Sequence, residues 1–129
     1  MFNTLWYDNL IKPLLTPPAW IFSTAWIILY CTILISLILY VIKITKKDKL
    51  YGYTIFIVHM VFNLLWSPVF FVLHKMDIAL TVLLIIIFTA ILLIKTFFHI
   101  SKIAAYIFIP YFIWLLFALY LNIEFIRLN

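Results

Sequence analysis

The sequence predicts an all-α fold, a polytopic membrane bundle of four transmembrane helices forming one domain over residues 1–129. Hydrophobic residues make up 69% of the chain and charged residues 10%, whereas a soluble domain carries about 25% charged residues. Four apolar runs, at about 18–42, 51–73, 78–98 and 103–126, are each long enough for the roughly 20 residues that cross a bilayer. The runs are continuous, which argues against a transmembrane barrel of alternating strands.

The segment before the first helix, residues 1–17, is predicted to be an extramembrane loop at the membrane edge. It carries Trp6, Tyr7 and Pro13 and ends at Pro17, which is followed by Pro18. Proline fixes φ and lacks an N–H, so this spacing cannot form a helix interior, although Pro17 or Pro18 can start one. A loop so rich in aromatic residues and proline is expected to act as a lid over a site.

The lysines and the arginine predict an orientation. With four spans both chain termini lie on one face, which carries Lys12, Lys75 and Arg127. The opposite face carries six lysines, and the positive-inside rule places that face in the cytoplasm. These loop lysines account for the net charge of +5, so no nucleic-acid partner is expected. The six are Lys43, Lys46, Lys47, Lys49, Lys95 and Lys102.

The second span carries a stripe of polar and aromatic side chains. His59, Asn63, Trp66 and Phe70 are spaced by three and four residues, so they share one helix face. Polar side chains at membrane depth face the bundle interior or a cavity, because lipid offers them no partner. Two interpretations stay open, a ligand-binding wall and simple hydrogen bonding between helices. Pro68 is expected to kink this helix.

The fourth span carries a comparable stripe, made of Tyr111, Trp114, Ala118 and Asn122. Ala118 is small, so either a neighbouring helix or a ligand could approach closely there. The interpretation that needs no ligand is a packing seam between helices, with Ala118 at its centre.

The first span places Trp26 and Tyr30 on one face, which is also typical of ordinary core packing. Three helices therefore each present a tryptophan near a polar or small residue. A pocket lined by Trp26, Trp66 and Trp114, beneath the N-terminal loop, would suit a large, flat, apolar ligand.

No catalytic or metal-binding constellation is evident. His59, His74 and His99 lie on different elements without a paired cysteine or carboxylate, and the latter two are predicted to lie in loops. We therefore expect no metal site and no required cofactor. Cys31 is predicted to be a buried, inert thiol. Asp77 is placed in a connection between spans, and no intramembrane carboxylate is available for a proton relay.

Three segments resemble the TspO/MBR family, the translocator proteins or tryptophan-rich sensory proteins. The resemblance covers most of the chain in three ordered motifs. They are Trp6-Tyr7-x-x-Leu10-x-Lys12-Pro13-x-x-x-Pro17-Pro18 with Phe22, Trp26 and Tyr30; Asn63-Leu64-Leu65-Trp66-Ser67-Pro68-Val69-Phe70-Phe71; and Pro110-Tyr111-x-x-Trp114-x-x-Phe117-Ala118-x-x-Leu121-Asn122.

The resemblance implies an integral membrane protein that binds porphyrins or haem-related tetrapyrroles, with a transport, sensory or stress-regulatory role. By position, Trp26 and Trp114 match pocket tryptophans, Asn63 a polar pocket residue and Ala118 a ligand-contact position. It also implies that the loop residues Tyr7 and Pro13 close the pocket. The implied partners are the lipid bilayer and a homodimer mate, and the implied location is a prokaryotic cell membrane.

The full set of ligand-binding residues expected from the stripes and the resemblance combines the loop and three helices. It consists of Trp6, Tyr7, Pro13, Trp26, His59, Asn63, Trp66, Phe70, Tyr111, Trp114, Ala118 and Asn122. Two alternatives stay open. One is an enzyme that breaks down porphyrin in light, with Trp114 as the candidate catalytic residue. The other is a structural or regulatory membrane subunit without a ligand.

The sequence also departs from the family pattern. The family has five transmembrane helices, and this sequence shows four, starting at the loop that follows the family's first helix. Either that helix is absent or the sequence is truncated. His59 stands where the family often has glutamine. The sterol-type pattern nearly formed by Leu116, Tyr120 and Arg127 fails on its spacing, so sterol recognition is not predicted.

Overall fold

The computed structural model describes residues 10–11, 19–73 and 75–129. Every regular element in these ranges is helical. The helices are α1 (Ala19–Ile42), α2 (Leu50–Ser67), α3 (Met76–Ile100) and α4 (Lys102–Leu128), and a π-helical turn, Pro68–Val72, continues α2. Each of the four is long and apolar enough to cross a membrane. The prediction of a four-helix membrane bundle is confirmed, and the chain is a multi-pass integral membrane protein. The predicted helix start at Pro17 or Pro18 lies outside the described residues.

The helices are arranged around the bundle in the order α1, α4, α3, α2. The main contacts are those of α3 with α4, α2 with α3, and α1 with α4, whereas α1 and α2 touch little. Buried positions recur every three or four residues along α3 and α4. Several of them are alanines, which let helix backbones approach closely in a membrane. The buried alanines are Ala79, Ala90, Ala104, Ala105 and Ala118.

The connection between α3 and α4 is a single residue, Ser101. Its backbone is extended, its N–H donates to the carbonyl of Phe97, and its side chain accepts from the N–H of Ala104. Ser101 therefore ends one helix and caps the next, as serine commonly does at helix N-termini. Two predictions about the ends of α3 were wrong. His99 and Asp77 were expected in the connections between helices, but they lie in the last and first turns of α3.

The lysine-rich connection between α1 and α2 is held by its own side chains. Lys49 donates through Nζ to the carbonyls of Val41 and Lys43, at 2.8 and 2.7 Å, and so binds the C-terminal end of α1. Lys47 donates to the carbonyl of His99 at 2.9 Å. A cation near a helix C-terminus is favourable because the exposed carbonyls carry partial negative charge.

At this same end α1 and α2 do meet, where the ring of Tyr40 lies on Gly52. A Cβ added at Gly52 would lie 2.7 Å from Tyr40 Cζ and against its hydroxyl. The Tyr40 hydroxyl donates to the carbonyl of Lys49 at 3.2 Å. Tyr40 also contacts the ring of Tyr53 edge-on, at 5.7 Å. Gly52, the chain's one glycine, therefore permits the contact that closes the α1–α2 seam at its lysine-rich end.

The second helix changes its winding at Pro68, where a kink was expected. Proline cannot donate the N–H of a regular α-helical bond. The bonds that follow span five and six residues, from Leu73 N to the Pro68 carbonyl and from Lys75 N to the Val69 carbonyl. Extra residues in a turn are a known response to an interrupted helical ladder.

Cys31 is exposed on α1, so the prediction of a buried thiol was wrong. Position in mid-helix does not imply burial in a membrane bundle, because the outer face of each helix contacts hydrocarbon. Large apolar side chains such as Trp20, Ile27 and Leu34 are exposed on α1 for the same reason.

Replacing Gly52 with alanine is expected to lower stability, because the new methyl group must displace the buried ring of Tyr40. Overpacking of this kind costs about 1–3 kcal/mol. Thermal unfolding in detergent measures it, with Thr54→Ala on the exposed side of the same helix as the control. An unchanged midpoint for Gly52→Ala would contradict the tight α1–α2 contact.

The orientation prediction is tested with single cysteines in a Cys31→Ser background. A membrane-impermeant maleimide added to intact cells should label Asn129→Cys and leave Lys46→Cys unlabelled until the membrane is permeabilised. The reverse pattern would place the lysine-rich loop outside the cell.

Candidate functional site

A chain of hydrogen-bonded side chains crosses the bundle and joins all four helices. The Tyr30 hydroxyl of α1 donates to Asn63 Oδ1 of α2 at 2.9 Å, and Asn63 Nδ2 donates to the Tyr111 hydroxyl of α4. His59 Nε2 lies 2.8 Å from that hydroxyl, and His59 Nδ1 lies 2.7 Å from Thr89 Oγ1 of α3. We call this set, Tyr30–Asn63–Tyr111–His59–Thr89, the polar chain.

The polar chain has one direction. The Thr89 hydroxyl lies 2.9 and 3.0 Å from two backbone carbonyls of the preceding turn, those of Ile86 and Ile85, and has one proton to donate to them. When Thr89 donates to these carbonyls, its Oγ1 accepts from His59, and we therefore assign the proton to Nδ1 and let Nε2 accept from Tyr111. Tyr111 in turn accepts from Asn63, whose oxygen accepts from Tyr30. Asn63, Tyr111, His59 and Thr89 each donate and accept, whereas Tyr30 only donates. No buried polar group in the chain is therefore left unpaired.

The polar chain has a closed interior and one open end. His59 and Tyr111 are fully buried, Thr89 is buried, and Asn63 is 5% exposed. Tyr30 is 37% exposed and lies where α1 and α2 make few contacts. Tyr30 is therefore the member of the chain that the surroundings can reach.

Aromatic rings continue from this open end across α1 to α4. The Trp26 ring lies 5.6 Å from Tyr30 and 6.3 Å, edge-on, from Trp114. Trp114 lies 5.4 Å from Phe117, which lies 6.3 Å from Tyr120. Separations of 4.5–7 Å are those of interacting aromatic pairs. We call Tyr30, Trp26, Trp114, Phe117 and Tyr120 the aromatic row.

A groove of about 510 Å³ lies between α1 and α4 on the other flank of α1. Its lining is almost entirely apolar, and its rims, Ile28 and Ile113, are exposed. Trp114 lines the groove and also belongs to the aromatic row. The lining consists of Ala25, Ile28, Leu29, Pro110, Ile113, Trp114 and Phe117.

Three of the predicted site residues form a second group, nearer the end of the bundle that is opposite the lysine-rich connection. Trp66 donates through Nε1 to Asn122 Oδ1 at 3.1 Å and stacks on Phe70 at 5.2 Å. Asn122 Nδ2 donates to the carbonyl of Met76 at 3.1 Å. Phe70 packs edge-on against Phe125. These contacts hold α2, α3 and α4 together, as the packing interpretation of the two stripes predicted.

The remaining predicted residues divide between the core and the N-terminal segment. Ala118 is buried in the main core cluster with Tyr111. Trp6, Tyr7 and Pro13 lie outside the described residues. The described part of that segment, Leu10 and Ile11, lies at the end of α4, where Ile11 exchanges two hydrogen bonds with the side chain of Asn129, at 3.0 and 2.9 Å. The lid role stays a prediction.

Sequence analysis missed Thr89 and assigned Tyr30 only to a helix face. Threonine is common in membrane helices, and nothing in its spacing singles out Thr89 from Thr81 or Thr96. Its role depends on which residue of α2 it meets. Among the described residues, no group of His, Cys, Asp and Glu side chains could hold a metal ion.

Comparisons with known proteins and with a family profile all point to the same family. The sequence profile of the TspO/MBR family matches residues 1–128. The chain is 37% identical to the tryptophan-rich sensory protein of Cereibacter sphaeroides, over 96% of this chain and 77% of that protein. It is 36% identical to the tryptophan-rich protein TspO of Archaeoglobus fulgidus, over 96% and 80%. It is 34% identical to a translocator protein homolog of Schizosaccharomyces pombe, over 95% and 77%.

The direction of the polar chain predicts that removing the hydroxyl of Thr89 lowers stability more than removing the hydroxyl of Tyr30. Thr89→Val removes the side-chain partner of the buried His59 ring and should lower the free energy of unfolding by about 1–3 kcal/mol. Tyr30→Phe removes a half-exposed donor and should cost about 0.6 kcal/mol, the mean for hydrogen bonds between membrane helices.

Thermal or denaturant unfolding in one detergent measures both variants. Thr54→Val is the matched control, because Thr54 is exposed and bonds only within its own helix, to the carbonyl of Leu50. If Thr89→Val proved as mild as Thr54→Val, the assigned direction of the chain would be wrong.

Proposed function

The chain belongs to the TspO/MBR family, and we propose that it binds flat, largely apolar ligands of the porphyrin and tetrapyrrole class within the membrane. The observation that carries the proposal is the aromatic row beside the open end of the polar chain. The row offers ring faces and edges to a macrocycle, and the open end offers a polar contact. A planar, largely apolar ligand that also carries a hydrogen-bonding group would match both.

The magnitudes allow useful affinity. Each aromatic contact contributes about 0.5–1.5 kcal/mol beyond the burial of its area. A macrocycle that touched Tyr30, Trp26 and Trp114 would make up to three such contacts. Micromolar affinity needs about 8 kcal/mol, so burial of apolar area and the polar contact must supply the larger part.

Two flanks of α1 could receive the ligand, and polarity favours the α1–α2 seam. The groove on the α1–α4 flank is almost entirely apolar, so a polar group of the ligand would find no partner there. On the seam side, Tyr30 and Asn63 already form a hydrogen bond close to Trp26. A buried polar group without a partner is costly in hydrocarbon.

We extend the proposal to a sensory role, which the name of the C. sphaeroides relative carries. Ligand at the seam would sit between α1 and α2, the pair with few direct contacts. Ligand binding there would therefore change how α1 packs against α2, and this change in packing would be the signal.

Trp114→Phe is expected to weaken protoporphyrin binding about two- to ten-fold, because the smaller phenyl ring reduces one aromatic contact. Emission anisotropy of protoporphyrin in lipid nanodiscs measures binding, in dim light so that photochemical loss of the ligand does not count. Trp20→Phe is the matched control, because Trp20 is exposed at the start of α1.

Ala25→Phe distinguishes the two flanks, because the larger side chain fills the groove and leaves the seam unchanged. Unchanged affinity supports the seam, whereas loss of binding would place the ligand in the groove. Anisotropy that rises without saturation, equally in wild type and Trp114→Phe, would show partition into lipid and would remove the proposed function.

A further inference from the structure

We infer that three lysines at one end of the bundle, Lys47, Lys95 and Lys102, form a docking site for the headgroup of an anionic phospholipid. We call these three residues the lysine cluster. The site lies on the outer surface where α3 meets α4, and it is independent of the proposed function. Its partner is a lipid with a net negative headgroup, which the lysines bind by charge while exposed rings below them contact the acyl chains.

The last turn of α3 brings the lysine cluster together. Lys47 reaches across from the α1–α2 connection and donates through Nζ to the carbonyl of His99 at 2.9 Å. Lys95 precedes His99 by four residues, so the two share one face of α3. Lys102 Nζ, at the start of α4, lies 5.6 Å from the centre of the Phe98 ring. Three lysines from three segments of the chain therefore lie around the turn that contains Phe98 and His99.

The positive charge of this end of the bundle is not balanced by carboxylates. Residues 42–51 and 95–103, which form this end, contain six lysines and one acidic residue, Asp48. The Asp48 carboxylate accepts from a backbone N–H at the start of α2, at 2.9 Å. Within the ranges that the structure describes, the one ion pair joins Arg127 to Glu124, at the far end of α4. A net negative headgroup would supply the charge that the protein does not.

Two members of the lysine cluster have ammonium groups that a lipid can reach. Lys95 and Lys102 are exposed, and in the described part of the chain neither ammonium group has a hydrogen-bond acceptor. Lys95 lies five residues before the end of α3, about 8 Å along the helix axis. A lysine at this depth extends its ammonium group towards the headgroups, because hydrocarbon cannot solvate the charge. The phosphate of a lipid headgroup is an acceptor at that level.

Apolar side chains lie below the lysine cluster, where the acyl chains of the same lipid would pass. Phe98 and Tyr106 are both exposed, and their rings contact edge-on at 6.1 Å. Lys102, Tyr106 and Ile109 are spaced by four and three residues, so they follow one face of α4 from its start into the membrane. Charge above and exposed rings below match one phospholipid. A soluble acidic protein would pair with the charge and leave the rings in hydrocarbon.

The test measures which lipid lies beside α4 at each end, with a bimane label on a single cysteine in a Cys31→Ser background. Ile109→Cys places the label on the face below Lys102, about 10 Å from the start of the helix. Ile123→Cys is the matched control, because it is also exposed and lies near the opposite end, where the charges are paired. Phosphatidylcholine nanodiscs contain a fixed fraction of brominated phosphatidylglycerol or brominated phosphatidylcholine, and bromine quenches the label on contact.

At Ile109→Cys, phosphatidylglycerol should be preferred over phosphatidylcholine about five-fold, the factor that one lysine near an anionic headgroup contributes. At Ile123→Cys the two lipids should quench equally. Lys95→Gln combined with Lys102→Gln should remove the preference at the first position. Lys43→Gln should leave it unchanged, because this exposed lysine of the same end lies outside the lysine cluster.

Equal quenching by the two lipids at Ile109→Cys overturns the inference, even if the glutamine variants fail to fold. A preference that Lys43→Gln lowers as much as the double variant does would show a diffuse basic surface and would remove the lysine cluster. Loss of the preference when inorganic phosphate is added at constant ionic strength would assign the site to a free anion. None of these readouts involves protoporphyrin, so the proposed function is judged separately.

Discussion

The structure depends on one constraint, that a polar side chain at membrane depth has no water to bond and must find its partner in another helix. The polar chain meets this constraint with contributions from all four helices. Apolar burial does little to bring helices together in lipid, so specific hydrogen bonds and close packing at small residues select the arrangement. The open end of the same chain is the polar contact of the proposed site, so packing and the proposed binding involve the same side chains.

The fold could be predicted from composition and run length, because hydrocarbon imposes both. A span must be apolar for about 20 residues, and charged residues mark where spans end. The errors were local. His99 lies within α3 because Ser101 alone suffices to end that helix and cap the next. Cys31 is exposed because the outer side of a membrane helix is as apolar as its inner side.

The site could be predicted in part. Spacing correctly placed His59 and Asn63 on one inward face, and Tyr111 on another, but it could not show that Tyr111 bonds both. Trp66 and Asn122 looked equally suited to a ligand, yet they bond each other. Periodicity describes the face of one helix, whereas partners depend on the rotation and height of two. The aromatic row, which runs from α1 to α4, depends on that same relation.

The most direct test of the account is the proton position on His59. Nitrogen-15 NMR of histidine-labelled protein in bilayers distinguishes a protonated from an unprotonated ring nitrogen, and His59→Gln identifies the signals among those of the three histidines. The account predicts a neutral ring with the proton on Nδ1 and an unprotonated Nε2. A proton on Nε2, or on both nitrogens, would contradict the direction of the polar chain.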